Sequence, residues 1–179
     1  RLPIREDDPL TPFSPYGAHK LMAEDLGRSF ATHWGVRVAI VRLFSVYGAG
    51  LRKQLLWDAC RKATAGEFAF FGTGEEQRDW LHVRDAADLL LLAAAKAGPE
   101  CPVVNGAAGL GVPTRDILTR LGGMFEPPLT PIFTGQARQG DPQHYVADTA
   151  ELRSWGVAPQ VDLDEGLRGY VDWFREALA

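Results

Sequence analysis

The chain has 179 residues, of which 46% are hydrophobic, and this content is enough to form a buried core. Its 19 Lys and Arg and 23 Asp and Glu are mixed along the sequence and give a net charge of -4, so we expect no nucleic-acid partner. No apolar run reaches the length of a membrane span, and the first residues lack the pattern of a signal peptide, so we expect a cytoplasmic protein with no membrane partner. Cys60 and Cys101 stand outside any metal-ligand spacing, so we expect no metal.

The first predicted element is a helix that runs from Ser14 to about Trp34. Ser14 is a favourable N-cap, Pro15 occupies the first turn, where a missing N–H costs least, and Gly35 is a typical helix stop. Residues 36–44 follow, and they are β-branched and apolar on both faces, as in an interior strand of a parallel sheet. Since a helix leads into such a strand, the segment predicts a βαβ unit of an α/β fold.

The rest of the chain continues the same alternation of helix-like and strand-like patterns. In chain order the predicted elements are a glycine-containing loop from 45, a helix at about 51–65, two short strands around a Gly-rich turn within 67–83, a helix at 86–97 with Asp85 as its N-cap, a buried strand within 101–109, a helix from 113 or 114 to 122, a Pro-rich connection at 126–135, a polar loop at 136–160 with a short helix near 149–155, and an amphipathic closing helix. The apolar run in the helix at 86–97 indicates that this helix is buried. On the closing helix, the apolar residues that form one stripe are Leu167, Tyr170, Val171 and Phe174.

The sequence lacks the unit that opens a dinucleotide-binding sheet. Such a sheet begins with a strand, a Gly-rich turn and a helix, because only glycine lets the backbone approach a pyrophosphate at a helix N-terminus. No segment before Tyr16 can form this unit, and the turns GTGEEQ and GAAGLG do not lie between an early strand and a long helix. Neither turn is therefore interpreted as a dinucleotide fingerprint.

Tyr16 and Lys20 stand four residues apart at the start of the first predicted helix. Positions i and i+4 share a helix face, so the phenol and the ammonium can lie close together. A neighbouring positive charge favours phenolate over phenol, which makes a tyrosine a usable general base or acid. The alternative is a surface helix on which the tyrosine packs and the lysine is solvated, and the spacing alone does not decide between the two.

Five segments match one known pattern in order and spacing. They are SPYGAHKLMAED, VAIVRLFSVYGAG, GEFAFFGTGEEQRDWLHVRDAADLL, VVNGAAG and RQGDPQHYVAD. The pattern resembles the C-terminal part of the extended short-chain dehydrogenase/reductase family, and in particular the nucleotide-sugar epimerases and dehydratases of the UDP-glucose 4-epimerase type. The likeness covers nearly the whole chain, and five ordered motifs are much more specific than any one of them.

The resemblance implies an α/β fold with the C-terminal part of a Rossmann-like doubly wound parallel sheet and a smaller α/β substrate-binding lobe. Residues 1–50, with contributions from about 80–106, would be the remainder of the NAD-binding lobe, and residues 51–80 and 107–179 would mainly form the nucleotide-sugar-binding lobe. The resemblance also implies NAD rather than NADP, a nucleotide-diphosphate sugar as substrate, and a homodimer formed through the helix that holds Tyr16. Because the Gly-rich turn is missing, we expect these residues alone to bind NAD poorly and to turn over nothing.

Individual residues receive roles from the same resemblance. Tyr16 would be the catalytic base that takes a proton from a sugar hydroxyl, and Lys20 would hold the ribose hydroxyls of NAD. Leu43, Phe44 and Val46 would pass the nicotinamide end of NAD. At the substrate, Arg78 and Arg138 would clamp the diphosphate, and Ser45 stands where an asparagine often touches it. The residues that would enclose the nucleotide base are Gln54, Leu55, Ala69 and Phe71, and those near the nucleoside are Asp141 and Tyr145.

The two arginines suit this role on chemical grounds as well. A sugar diphosphate presents oxygens that a guanidinium fork binds in bidentate fashion, so Arg78 and Arg138 from separate segments could converge on one dianion. The alternative for Arg78 is an ion pair with Asp79 or Asp85, and for Arg138 it is a pair with Asp141, since local pairs are common on surfaces.

Two functions follow from these observations. The first is an NAD-dependent nucleotide-sugar epimerase or dehydratase, of which this chain is a fragment, that oxidises a sugar hydroxyl through Tyr16 and Lys20. The second is a non-catalytic nucleotide-sensing or dimerisation module on the same fold, which the missing Gly-rich turn favours. The presence of Tyr16 and Lys20 together with Arg78 and Arg138 favours the enzyme, because a sensor needs no base.

Overall fold

The computed structural model describes residues 1–136 and 144–178 as an alternation of helices and short strands. In chain order the elements are α1 (Pro15–Trp34), β1 (Ile40–Leu43), β2 (Ser45–Tyr47), α2 (Gln54–Ala65), β3 (Ala69–Phe70), β4 (Gln77–His82), α3 (Val83–Lys96), β5 (Val103–Gly106), β6 (Gly111–Pro113), α4 (Thr114–Gly122), β7 (Ile132–Phe133), β8 (His144–Tyr145), α5 (Ala150–Ser154) and α6 (Leu163–Leu178). The α/β fold class and the predicted helices are confirmed, with helix ends shifted by a few residues.

Local signals place both ends of α1 where the sequence predicts them. The Ser14 hydroxyl accepts a hydrogen bond from the Gly17 N–H at 3.1 Å, and Pro15 lies in the first turn. At the other end, Gly35 has a φ of 65° and its N–H donates to the Ala31 carbonyl. A left-handed residue at this position costs least when it is glycine, so the helix ends there.

β1 and β5 pair in parallel, so both strands end at the same edge. The strand predicted over 36–44 is confirmed but shorter, because only residues 40–43 join this ladder. On one face of the pair, Val41 and Val104 pack with Leu89 of α3 and Leu152 of α5. This small apolar cluster fixes α3 and α5 against the parallel strands.

The opposite face of β1 is tied to α1 by charged groups. Arg42 donates from Nε and Nη2 to the Glu24 carboxylate, both at 2.8 Å, and from Nη1 to the Glu6 carbonyl at 2.9 Å. Arg28 adds a further bond to Glu24 at 3.0 Å. The hydrogen bond from Arg42 holds the pKa of Glu24 below its ordinary value, although burial opposes it. This network fixes the helix that carries Tyr16 to strand β1.

β4 is the centre of a second sheet. It pairs in parallel with β2 and β8 and antiparallel with β6. Residues 45–47, predicted as a loop, instead form β2, whose partner strand lies beyond α2 and leaves no local signal. The pairing sets Ser45 opposite Trp80 and Arg78 opposite Tyr145.

Asp79, in the middle of β4, is fully buried and 0% exposed. Its carboxylate accepts backbone N–H bonds from Ala108 at 2.8 Å, from Gly109 at 3.0 and 3.1 Å, and from Ala147 at 3.1 Å. Burial raises the pKa of the Asp79 carboxyl, although these N–H bonds oppose the shift. The side chain therefore ties β4 to the loop after β5 and to the segment before α5.

α3 begins three residues earlier than predicted, and Asp85 is not its N-cap. His82 holds that position, and its Nδ1 accepts a hydrogen bond from the Arg84 N–H at 3.3 Å. Burial lowers the pKa of His82, although Asp85 opposes it, and this favours the neutral ring that can accept the bond. Asp85 instead accepts N–H bonds from Gln160 at 2.9 Å and Val161 at 3.2 Å, so it anchors the segment before α6.

The larger apolar core lies among α2, α4 and α6. The predicted stripe of α6 is confirmed, because its four residues are each at most 1% exposed. One of them, Tyr170, donates its hydroxyl to the Leu51 carbonyl at 2.7 Å. A Cβ at Gly166 would overlap the Tyr47 hydroxyl, so α6 needs a glycine at this contact with β2.

The apolar run of α3, predicted to be buried, is buried on one face only. Ala86, Leu89 and Ala93 are inside, whereas Leu90 is 48% and Leu91 is 72% exposed. The prediction is therefore wrong for the outer face of this helix.

Candidate active site

The first two turns of α1 bring Tyr16 and Lys20 together. Lys20 Nζ lies 5.4 Å from the centroid of the Tyr16 ring, so the two side chains share a helix face as their spacing predicts. Tyr16 is 71% exposed, and Lys20 is exposed as well. A phenol in this position is accessible to a ligand.

The residues implied for the cofactor lie where β1 ends. Leu43 is 41% exposed, and the Phe44 N–H donates to the Gly106 carbonyl at 3.0 Å, next to the end of β5. The Phe44 ring packs against the Tyr145 ring with centroids 4.4 Å apart. Val46 follows on β2. These residues form an edge at the carboxyl ends of parallel strands, which is where open α/β sheets bind ligands.

Tyr145 connects this edge to the second sheet. It lies on β8, which pairs with β4, and its ring packs on that of Phe44 just after β1. Burial raises the pKa of the Tyr145 phenol, and Arg42 acts in the opposite direction.

A cleft of about 530 Å³ opens beside β2, β4 and the start of α2, and its volume is in the range of small-molecule sites. Six residues that the sequence implies for ligand binding contribute to its wall, namely Ser45, Val46, Gln54, Leu55, Phe71 and Arg78. They come from separate segments of the chain, and the fold brings them around one cavity.

The N-terminus of α2 opens into this cleft. Lys53 is the N-cap residue, but its side chain caps no backbone N–H, and the first turn contains no acidic residue. Gln54 has a φ of 67°, a left-handed conformation that residues with a side chain rarely adopt and that is found at ligand sites. The first N–H groups of the helix and the positive end of its dipole favour an anion here.

Arg78 adds positive charge to the same wall, where its Nη1 donates to the Gln77 carbonyl at 2.9 Å. Asp79 and Asp85, the carboxylates considered as its alternative partners, accept hydrogen bonds from backbone N–H groups. Lys53, Lys62 and Arg78 thus bring three cations to a cavity whose wall also holds the carboxylates of Asp58, Glu75 and Glu76.

Two other implied substrate residues lie beside the cleft. Ala69 is exposed on β3, and its carbonyl accepts a hydrogen bond from Lys62 Nζ at 2.9 Å. Tyr145 lies on β8, next to β4, and is 37% exposed. Arg138 and Asp141 lie outside the described residues, so their roles stay predictions.

Several polar residues of the cleft wall were not predicted from the sequence. Lys53, Asp58 and Lys62 line the cleft along α2, next to the predicted Gln54. Gln54, Asp58 and Lys62 are four residues apart and therefore share one helix face. Once Gln54 is placed at a ligand, this spacing indicates the other two.

The sequence profile of the NAD dependent epimerase/dehydratase family matches residues 1–105, which is more than half of the chain. The chain belongs to this family. Its curated relatives include the UDP-glucose 4-epimerase of Azospirillum brasilense, 32% identical over 97% of this chain, and the dTDP-glucose 4,6-dehydratase of an Actinoplanes species, 29% identical over 95% of it. The chain spans 56% and 54% of the lengths of these two relatives.

The solved structure of MoeE5 in complex with UDP-glucose and NAD has a TM-score of 0.84 and 32% identity, over 98% of this chain and 60% of that one. Both epimerases and dehydratases are thus similar to this member of the NAD-dependent family, and the matches leave the choice between the two reactions open. Within residues 1–136 and 144–178, no helix is both long enough and apolar enough to cross a membrane.

Proposed function

We propose that this member of the epimerase/dehydratase family oxidises a hydroxyl of a nucleotide-diphosphate sugar with NAD, as an epimerase or a dehydratase. The observation that carries the proposal is the convergence of six implied ligand residues on one cleft of about 530 Å³. Because the chain spans just over half the length of its relatives, the proposal concerns the activity of the full-length gene product.

The diphosphate would bind at the N-terminus of α2. Lys53 and Arg78 supply cations there, and the first turn of α2, whose N-cap side chain makes no capping bond, supplies backbone N–H donors. Helix N-termini and guanidinium groups are both suited to phosphate oxygens, since one offers directed N–H donors and the other a bidentate fork. The left-handed backbone at Gln54 lies in the same cleft wall and supports this placement, since strained residues cluster at ligand sites.

Tyr16 would act as the base that takes the proton of the sugar hydroxyl, and Lys20 would bind the ribose hydroxyls of the cofactor and stabilise the phenolate. NAD, when bound, would accept the hydride from the carbon that bears this hydroxyl. The edge formed by the exposed Leu43 and the half-buried Phe44, next to Val46, suits the nicotinamide end, because apolar side chains there can pack on its ring. The 71% exposure of Tyr16 and its contact with Lys20 support these roles.

We expect Arg78→Ala to weaken the binding of UDP by about 10- to 100-fold, because a guanidinium bond to a phosphate is charge-assisted on both sides. Isothermal titration calorimetry of the purified chain measures the change. Arg61→Ala is the matched control, since Arg61 is an exposed arginine of α2 that is not part of the cleft wall. An unchanged dissociation constant for Arg78→Ala would remove the diphosphate from this cleft.

We also propose that the protein forms a homodimer through α1. Four large apolar side chains recur every fourth residue along this helix and are exposed by 65, 59, 46 and 77%, namely Met22, Leu26, Phe30 and Trp34. Such a stripe is typical of a helix that packs on another helix. Sedimentation velocity should detect a dimer of the wild-type protein. The variant Leu26→Glu should be monomeric, because it places a charge in the apolar stripe. A wild-type protein that stays monomeric at high concentration would contradict the proposal.

A further inference from the structure

The face of α1 that carries Tyr16 and Lys20 continues with charged residues. Tyr16, Lys20, Glu24 and Arg28 recur at every fourth position, so they share one face of the helix. Lys20 therefore has the Tyr16 phenol one turn before it and the Glu24 carboxylate one turn after it. Because opposite charges at this spacing form ion pairs on helices, Glu24 is the natural competitor of Tyr16 for the Lys20 ammonium.

The ammonium of Lys20 nevertheless lies on the side of Tyr16. Its Nζ is 5.4 Å from the centroid of the Tyr16 ring. Among residues 1–136 and 144–178, none of the ion pairs involves Lys20. The side chain of Glu24 is 14% exposed, and its two oxygens are bound by other groups. The competitor is thus occupied.

Arg42 of β1 is the main partner of the Glu24 carboxylate. Its Nε donates to Oε1 and its Nη2 donates to Oε2, both at 2.8 Å. Arg28 donates to Oε2 alone, at 3.0 Å, and also bonds to Asp25 at 3.3 Å. A guanidinium that holds both oxygens of a carboxylate makes a strong contact of defined geometry. Without Arg42, Oε1 would lose this partner and would be within reach of Lys20.

The surroundings of Arg42 hold it at Glu24. Its side chain is 17% exposed, and its Nη1 donates to the Glu6 carbonyl at 2.9 Å. The Glu6 carboxylate, which also acts on Arg42, accepts the Asn105 N–H at 2.7 Å. The other ionisable groups that interact with the pair are the Tyr145 phenol and the Cys101 thiol, and burial raises the pKa of both. At neutral pH, Arg42 is therefore the group that neutralises Glu24 together with Arg28.

We propose that Arg42 is a positioning residue of the Tyr16 and Lys20 pair, because it binds both oxygens of Glu24 and so leaves the Lys20 ammonium at Tyr16. A positive charge beside the phenol favours the phenolate, and a pair of Lys20 with Glu24 would cancel much of that charge. Arg42 itself lies outside the residues that line the cleft. The inference rests on the proposed function, since it takes Tyr16 as the base.

The first test is the pH dependence of kcat for UDP-glucose in the full-length gene product. The rising limb of this profile reports ionisation of the base. In Arg42→Gln the limb should move up by about 0.5 to 1 pH unit, because Glu24 then pairs with Lys20. Below the midpoint, kcat should accordingly fall by about 3- to 10-fold. KM should stay within about 2-fold of wild type, since Arg42 is not part of the cleft wall.

Two further variants separate this role from a merely structural one. Arg42→Gln/Glu24→Gln also removes the competing carboxylate, so its pH profile should return to that of wild type. If the contact only fixed α1 to β1, the double variant would stay as impaired as Arg42→Gln, and the inference would be wrong. Arg28→Gln is the matched control, because both oxygens of Glu24 keep their bonds to Arg42. It should keep the wild-type profile, and thermal melts establish that each variant is folded.

A second readout needs no turnover. In the purified chain with ¹³C-labelled tyrosine, the signal of Tyr16 is assigned from its loss in Tyr16→Phe. This signal should titrate at a higher pH in Arg42→Gln than in wild type, and at the wild-type pH in the double variant. An unchanged titration in Arg42→Gln would overturn the inference and leave the proposed function standing. If the full-length wild type turns over no nucleotide sugar, the proposed function fails, and the titration alone decides whether Arg42 keeps Glu24 from Lys20.

Discussion

Replacing Tyr16 with phenylalanine is expected to lower kcat by about 100- to 10,000-fold, the range that a positioned acid or base contributes. The change removes only the ionisable hydroxyl from a side chain that is 71% exposed, so we expect the fold and its stability to be unchanged. Tyr16 is not among the residues that line the nucleotide cleft, and substrate affinity should therefore stay within about 2-fold of wild type. Product formation from UDP-glucose by the full-length gene product, followed by NMR, gives kcat, and calorimetry gives the affinity.

His19→Gln is the control for this experiment, because His19 is an exposed residue between Tyr16 and Lys20 on the same helix. It should leave both constants near wild type. If Tyr16→Phe retained a rate close to wild type, the base would have to lie elsewhere. If the wild-type protein bound nucleotide sugars but never turned them over, the sensing or dimerisation module would be the better description.

Replacing Asp79 with asparagine should lower the free energy of unfolding by roughly 2–5 kcal/mol, because buried backbone N–H groups that donate to the Asp79 carboxylate would lose their acceptor. The carboxylate accepts N–H bonds from Ala108, Gly109 and Ala147, and an amide NH2 would oppose at least one of these donors. A buried N–H without an acceptor costs about 1–3 kcal/mol. Urea unfolding of the purified chain measures the loss.

Asp88→Asn provides the comparison for Asp79→Asn, since Asp88 is an exposed aspartate on α3. Its effect should lie within about 0.5 kcal/mol of zero. Equal stability of Asp79→Asn and wild type would show that the buried carboxylate does not hold β4 to the two segments it contacts.

The sequence predicts elements best where the determining signal is local. Ser14, Pro15 and Gly35 mark the ends of α1 by themselves, and both ends are placed correctly. The strands β2, β7 and β8 have only two or three residues, and each exists because a partner strand far along the chain completes its hydrogen bonds. A short segment such as 45–47, followed by glycines, carries no periodicity that could reveal such a partner.

Asp85 shows that the role of a single residue can also depend on partners far along the chain. Its position before an apolar run is typical of an N-cap, but β4 leads directly into α3, and His82 takes the cap. The true partners of Asp85 are the N–H groups of Gln160 and Val161, which no local pattern connects to it. The exposed side chain of Leu91 is another case, since the composition of α3 does not tell which face is covered.

For the candidate site, the family resemblance predicts more of the residues than the local sequence pattern does. It identifies Ser45, Gln54, Phe71 and Arg78, which meet around one cleft although four separate segments supply them. It does not identify Lys62, which also lines the cleft, because the position of that side chain depends on how α2 lies against β3. The division into two lobes and the roles of the individual site residues stay predictions.

One experiment decides whether this cleft presents a sugar hydroxyl to Tyr16 and NAD. The full-length gene product, loaded with NAD, is mixed rapidly with UDP-glucose while the absorbance of reduced nicotinamide is recorded. We expect reduction of the nicotinamide in the wild-type protein and in His19→Gln, and none in Tyr16→Phe despite normal binding of the sugar nucleotide. Reduction at the wild-type rate in Tyr16→Phe, or its absence in the wild type with every nucleotide sugar tried, would contradict the proposed role of Tyr16.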